Sequence, residues 1–170
     1  MENQAFELIR TKHVVREFSD EPLPDEVVRQ ILEAGRLSPS WANTQPWRFI
    51  AVRNRDTLRR IAELNPNAGH LAGAALGVVI VAPEPSSSGS PEFDFGRAVQ
   101  NMMLTAHGVG VGSVVGYLKQ PEETAKLLGV PEGHRVAWVV SFGYPANKQD
   151  RPTRRGGRLP FDEVVHWEKW

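Results

Sequence analysis

Residues 38–49 read SPSWANTQPWRF. The stretch opens on turn residues, holds two tryptophans and two amides, and ends where an apolar run begins. It is a polar loop, turned by Gln45 and Pro46 into WRFIAVR, which alternates and is rich in strand formers. That pattern predicts a strand from Trp47 to Arg53. Upstream, PDEVVRQILEAG predicts a helix. Pro24 suits its first turn, Asp25 and Glu26 complement its dipole, Val27, Val28, Ile31 and Leu32 form its apolar face, and Gly35 stands near its stop.

Reading outward from this helix–loop–strand unit extends the alternation in both directions. FELIRTK predicts a short opening helix, followed by a polar loop from His13 to Leu23. RDTLRRIAELN is amphipathic, with Leu58, Ile61, Ala62 and Leu64 inward. ALGVVIVA is a continuous apolar run, as expected of a strand buried on both faces. PEPSSSGSP predicts a loop. FDFGRAVQNMMLTAHGVG sets Phe95, Val99, Met102, Met103 and Ala106 at helical spacing, and predicts the longest and most central helix. GSVVGY and RVAWVVSFGYP predict strands on either side of a helix, PEETAKLLG. The tail, NKQDRPTRRGGRLPFDEVVHWEKW, is basic and irregular before a short amphipathic helix. Alternating strands and helices imply a layered arrangement with helices around one mixed sheet, in a single domain spanning residues 1–170.

Composition removes several function classes. Lys plus Arg equals Asp plus Glu at 20 each, so there is no electrostatic footprint for nucleic acid or an anionic membrane. No cysteine is present, which excludes disulfides, thiolate nucleophiles and zinc–thiolate sites. The longest apolar stretch, LAGAALGVVIVA, is too short to span a bilayer. The N-terminal residues lack a signal-peptide core, so the expected location is cytoplasmic. HGVGVGS follows a helix and opens a strand, the reverse of a dinucleotide-binding glycine loop. The five histidines are scattered without a metal-ligand spacing, and no metal is expected. Ser113 has no nucleophile-elbow pattern around it.

Two basic segments remain. RTKHVVREF carries Arg10, Lys12, His13 and Arg16; RPTRRGGRLP carries Arg151, Arg154, Arg155 and Arg158 beside Gly156 and Gly157. Guanidinium forks and free backbone N–H groups match the oxygens of a phosphate. Taken singly, each segment also reads as a solvated surface run.

Together and in this order, the segments resemble the FMN-dependent nitroreductase family over nearly the whole chain. The similarity is carried by TKHVVREF, by the P-S-x-x-N-x-Q-P-W pattern at Pro39, Ser40, Asn43, Gln45, Pro46 and Trp47, by DFGRAVQNMMLTAHGVGVGS, by VVGYLKQPEETAKLLGVP, and by GYP with GGRLPFDEVVHW in the tail. The resemblance implies an α+β, three-layer α/β/α sandwich around a mixed, mainly antiparallel sheet. It further implies a homodimer with FMN at the subunit interface, NAD(P)H as electron donor, and a small-molecule acceptor such as a nitroaromatic or quinone, reduced in ping-pong fashion. The C-terminal tail, about residues 150–170, is then expected to wrap the partner subunit.

Carried over by position, Lys12, His13, Val14 and Arg16 would follow the cofactor from phosphate to pyrimidine edge. Pro39, Ser40, Trp41 and Asn43 would approach the isoalloxazine from the partner. Backbone at Val115, Gly116 and Tyr117 would face N5, and Arg158, with Arg154 or Arg155, would close on the phosphate. No side chain is expected to act as a catalytic group, since the flavin carries the chemistry. The chain departs from the family at three of these positions: Val14 replaces a usual serine, His13 a frequent arginine, and Trp41 a small residue. Other reactions of the same fold (dehalogenation, azoline oxidation, flavin destruction) and flavin binding without turnover are alternatives that the residues leave open.

Overall fold

The computed structural model describes residues 3–84, 91–147 and 157–170. Its strands are β1 (Arg48–Val52), β2 (Leu76–Pro83), β3 (Gly112–Gly116) and β4 (His134–Gly143). Its helices are α1 (Gln4–Thr11), α2 (Asp25–Arg36), α3 (Arg55–Leu64), α4 (Pro91–Gly108), α5 (Pro121–Leu128) and α6 (Phe161–Val164). The strands form one sheet in the order β1-β2-β4-β3. Every described pairing is antiparallel, so the parallel component of a mixed sheet is not among them.

β2 is buried from Leu76 to Ala82, and its two faces enter two separate cores. Val78 and Ile80 join Val140 and Phe142 under α2 and α4, against Ile31, Phe95 and Met102. Val79 and Val81 join Val139 on the opposite face, against Leu58, Ile61 and Leu71. Helices thus cover both faces, giving the three layers expected. Complete burial of a leucine- or valine-sized side chain contributes about 1.5–3 kcal/mol, so β2 repays coverage on both sides.

Local chemistry sets the element ends. Asn54 caps α3 by accepting the Thr57 N–H at 2.9 Å, and Asn3 does the same for the N–H groups of Ala5 and Phe6. Pro121 opens α5, and Gly129 closes it in the left-handed region at φ 66°. Gly35, expected near the stop of α2, lies within its last turn, where its work is different. A Cβ there would stand 3.0 Å from the Met102 side chain, so glycine lets α2 approach α4 closely. The loop PEPSSSGSP falls largely outside the described residues. Two short 3-10 segments escaped the sequence reading: Trp41–Asn43 inside the polar loop, and Pro66–Gly73, which buries Ala68 and Leu71.

The segment that matters most for the site has no regular structure. Residues 12–16 run beside β3, held by the Val15 N–H donating to the Ser113 carbonyl at 3.1 Å. Gly112 makes this possible. A Cβ on it would lie 2.6–2.8 Å from three carbons of the Val15 side chain. We therefore expect Gly112→Ala to push this segment off β3 and to destabilise the fold by about 1–3 kcal/mol. Urea denaturation measures the loss, and an unchanged midpoint would contradict the packing described.

Candidate functional site

Because residues 12–16 run without helical turns along a strand, their side chains separate to two sides. Lys12, Val14 and Arg16 line a cavity of about 510 Å³. His13 and Val15 turn instead into a small cavity of about 170 Å³ with His107 and Pro145. Two cations on one side chain row therefore enter the larger space, and the intervening histidine does not.

The rest of that larger cavity is mostly apolar. Phe95, Val99 and Met103 of α4, Val114 and Val115 of β3, and Trp138 of β4 form its walls, with Gly96, Gln100 and Glu92 also at its boundary. Glu92 is engaged by Arg135, whose Nη2 donates to it at 2.6 Å. Tyr117 is exposed just beyond β3, its ring edge-on to Trp138 at 6.3 Å. Gly116 ends β3 where a Cβ would meet Ala68 at 2.8 Å and Val139 at 3.0 Å. Hence the 3-10 segment presses against the back of the strand end, and β3 presents backbone there.

His70, on that 3-10 segment, shares a hydrogen bond of 2.7 Å between Nδ1 and the Ser141 hydroxyl. Burial, and secondarily the charge of Arg16, pushes its pKa down to about 4. His70 is therefore neutral at physiological pH, and the positive charge at this edge of the site belongs to Arg16. In the smaller cavity, Nε2 of His107 is 2.9 Å from the Thr11 hydroxyl. Burial, His13 and Lys12 all lower the His107 pKa.

The loop at residues 38–45 adjoins the site at one point. Pro39 borders a cleft of about 580 Å³ with Phe93, Arg97 and Asn101, and this cleft shares Glu92, Gly96 and Gln100 with the larger cavity. Ser40, Trp41 and Asn43 line neither space. The Ser40 hydroxyl accepts the Gln45 N–H at 2.9 Å, Asn43 has φ 56°, and Trp41 is 64% exposed. Arg158 is exposed and borders neither cavity. Arg154 and Arg155 lie outside the described residues.

A wider groove, about 760 Å³, runs along α2 and β1 between Val28, Leu32, Trp47 and Phe49, with Arg29, Arg36, Arg48 and Arg53 at its margins. It contains none of the residues expected at a cofactor. Asp94, Asn101, His70 and Trp138 stand at or behind the site without having been singled out from the sequence. Only Trp138, an aromatic within an apolar strand, carried a local signal.

An antiparallel sheet covered on both faces, with a cationic, apolar-walled cavity at its β3 edge, defines a recognisable class of α+β protein. The profile of the nitroreductase family matches residues 9–69 and 65–144, and the chain belongs to that family. A relative from Archaeoglobus fulgidus, provisionally named NADH dehydrogenase/NAD(P)H nitroreductase, is 35% identical over 175 residues, covering 98% of this chain and 99% of the relative. The crystal structure of a similarly named protein from Parabacteroides distasonis superposes with a TM-score of 0.88 at 29% identity, over 99% of this chain and 100% of that one. The NADPH:FMN oxidoreductase of Vibrio harveyi, solved with NAD+, shares the fold with a TM-score of 0.84 at 24% identity, over 99% of this chain and 78% of its own. Among the described residues, no helix is long and apolar enough to cross a membrane.

The state of His70 gives a pH dependence with a definite sign. Its folded pKa lies near 4 and its ordinary value at 6.5, so between these values the unfolded chain binds more protons. Stability is then full above about pH 6.5 and falls as pH drops toward about 4. In His70→Asn, the fall of the urea midpoint across that window should be smaller than in the wild type. Equal slopes in both proteins would remove His70 as the source.

Proposed function

We propose that the chain is an FMN-dependent oxidoreductase that uses NAD(P)H to reduce electron-poor acceptors such as nitroaromatics or quinones, donor and acceptor taking turns in one cleft. The observation that carries this reading is the pairing of Lys12 and Arg16 with an apolar wall in one cavity. FMN needs both: cations for a phosphate and for an electron-rich ring edge, and apolar surface for a flat tricyclic ring. The residues present fit the group. When bound, FMN supplies hydride acceptance from the reduced nicotinamide and electron delivery to the acceptor.

In this reading each side chain binds or orients. Lys12 holds the phosphate, with Arg158 and Arg155 closing on it from the tail. Val14 and Val115 give the ring a dry surface, and Arg16 stabilises negative charge at the pyrimidine edge. The backbone from Val115 to Tyr117 offers its N–H groups at the end of β3. His13 points into the other cavity, so its contribution to the phosphate is indirect, through the charge it adds beside Lys12.

The same reading makes the protein a homodimer in one cytoplasmic domain. Among the described residues, Ser40, Trp41 and Asn43 line neither the cavity beside β3 nor the adjoining cleft, which supports their serving the partner's. In the tail, Phe161, Val164, Trp167 and Trp170 are exposed, far more apolar surface than a free segment carries. The apolar groove beside β1, whose outer edge is unpaired among the described strands, offers the partner's tail a seat.

Purified protein should be yellow, release FMN on denaturation, lose its colour anaerobically with NADH or NADPH, and regain it with a quinone. Arg16→Ala should weaken FMN binding about tenfold, the scale of one charge-assisted hydrogen bond, and lower the reduction potential of the flavin. Full flavin retention at an unchanged potential would rule out this role for Arg16. Sedimentation equilibrium at micromolar concentration should return the mass of a dimer, and a monomer would remove the shared-site reading.

A further inference from the structure

The loop that carries Trp41 is strained, and what holds it is a buried carboxylate. Ala42, Asn43 and Gln45 all sit in the left-handed region, at φ 45°, 56° and 48°. For alanine and glutamine that costs about 1–2 kcal/mol each, and for asparagine less. The loop supplies some compensation itself, through the Ser40 hydroxyl and through Thr44, whose N–H and hydroxyl both donate to the Trp41 carbonyl at 3.0 Å. Outside the loop, the Ser38 hydroxyl donates to the Ala34 carbonyl of α2 at 3.1 Å, and two attachments come from α4. Asn101 Nδ2 donates to the Ser38 hydroxyl at 2.7 Å, and Oδ2 of Asp94 accepts the Trp41 N–H at 3.0 Å.

Asp94 is only 3% exposed. Its other oxygen faces Arg97 Nη1 at 3.4 Å, and Arg97 in turn lies over the Phe93 ring at 5.6 Å. Burying a carboxylate is expensive unless charge and donors meet it, and here a backbone N–H and a guanidinium do so. The Trp41 side chain, by contrast, is mostly exposed, so its position is set through its backbone. At 100° per residue, Asp94 and Asn101 stand roughly 20° apart around α4, while Phe95, Val99 and Met103 lie roughly 100–180° from Asp94. One flank of the helix walls the cavity and the other grips the loop.

We propose that Asp94 is a positioning residue that fixes Trp41 and thereby limits the size of acceptor admitted to the cleft that Trp41 serves. The clasp stands on the contacts above; its consequence for acceptors rests on the flavin-site reading. Losing the clasp frees the loop to relax its strained residues, and the indole moves with them. The helix that shapes one cavity thus also sets the gate residue, whichever subunit's cofactor that residue faces.

The test uses the full-length protein with its bound flavin, in the wild type and in Asp94→Ala, Asp94→Asn, Trp41→Ala and the Asp94→Ala/Trp41→Ala double variant. Hydrogen–deuterium exchange reads the clasp directly. The Trp41 amide should lose about tenfold protection in Asp94→Ala, one hydrogen bond to a charged group, and keep most of it in Asp94→Asn, whose amide oxygen still accepts. Selectivity is the ratio of kcat/KM for 2-methyl-1,4-naphthoquinone to that for 1,4-benzoquinone. Asp94→Ala should raise it by as much as Trp41→Ala does, the double variant should add nothing, and in Asp94→Ala bleaching by NAD(P)H should stay within about twofold of wild type.

An unchanged Trp41 exchange rate, or an unchanged quinone ratio with exchange accelerated, overturns the proposal. So does an equal slowing of bleaching and both quinone reactions, which marks a merely structural residue. If Asp94→Ala does not fold, Asp94→Glu takes its place: it keeps the charge, moves the oxygen by one methylene, and should shift exchange and selectivity the same way. Wild-type protein that retains no FMN sinks the flavin reading alone. The exchange of the Trp41 amide then still decides whether Asp94 positions the loop.

Discussion

Burial of β2 on both faces is the constraint from which the architecture follows. A strand with Val78 and Ile80 on one side and Val79 and Val81 on the other needs two covering layers, and it recruits them from opposite directions in the chain. α2 and α4 take one face; α3, α5 and the Pro66–Gly73 segment take the other. With both faces and both edges of β2 occupied, the candidate cavity lies at the sheet's margin. The short strand β3 is that margin, paired only with β4 among the described strands. There the extended residues 12–16 lie alongside instead of another strand.

This margin sorts chemistry by a simple rule. Side chains alternate along an extended segment, so a run of basic and apolar residues is divided between two spaces. Lys12 and Arg16 gain a common cavity with Val14 between them, and His13 is sent to His107. A sequence reading that treats Lys12, His13, Val14 and Arg16 as one ligand set misses the division. The substitution of valine at position 14 also acquires a physical sense, because Val14 faces the apolar walls of Phe95, Val99 and Val115.

The regular elements were legible because their signals are local. Every strand and α-helix listens to its own period, caps and turn residues, and the predicted Trp47–Arg53 strand differs from the observed Arg48–Val52 by one residue at each end. The Pro66–Gly73 segment was not legible, since PNAGHLAG has neither the apolar alternation of a strand nor the period of an α-helix. Trp41 was visible as an unusual residue, yet its anchor was not. Asp94 in the first turn of α4 reads as an ordinary complement to the helix dipole, and it lies 53 residues from the N–H it accepts. His70 and Ser141, 71 residues apart, were hidden for the same reason. What escapes a sequence is chiefly the pairing of polar groups across long separations.

These hidden pairs also explain how a loop of small and polar residues holds one shape. In the left-handed region Ala42 and Gln45 cost about 1–2 kcal/mol each, and Asn43 less. Net hydrogen bonds contribute about 0.5–1.5 kcal/mol, and those to charged groups about 1.5–3. The loop's own bonds and its two bonds to α4 are therefore of the same order as its strain. A loop so nearly balanced needs each attachment, and the bond to a buried carboxylate is the strongest single one it has. That places control of an exposed tryptophan in a residue that solvent barely reaches, on a helix whose opposite flank already walls the cavity. The wall of the cavity and the hold on the Trp41 loop are then set from two flanks of one rigid element, α4.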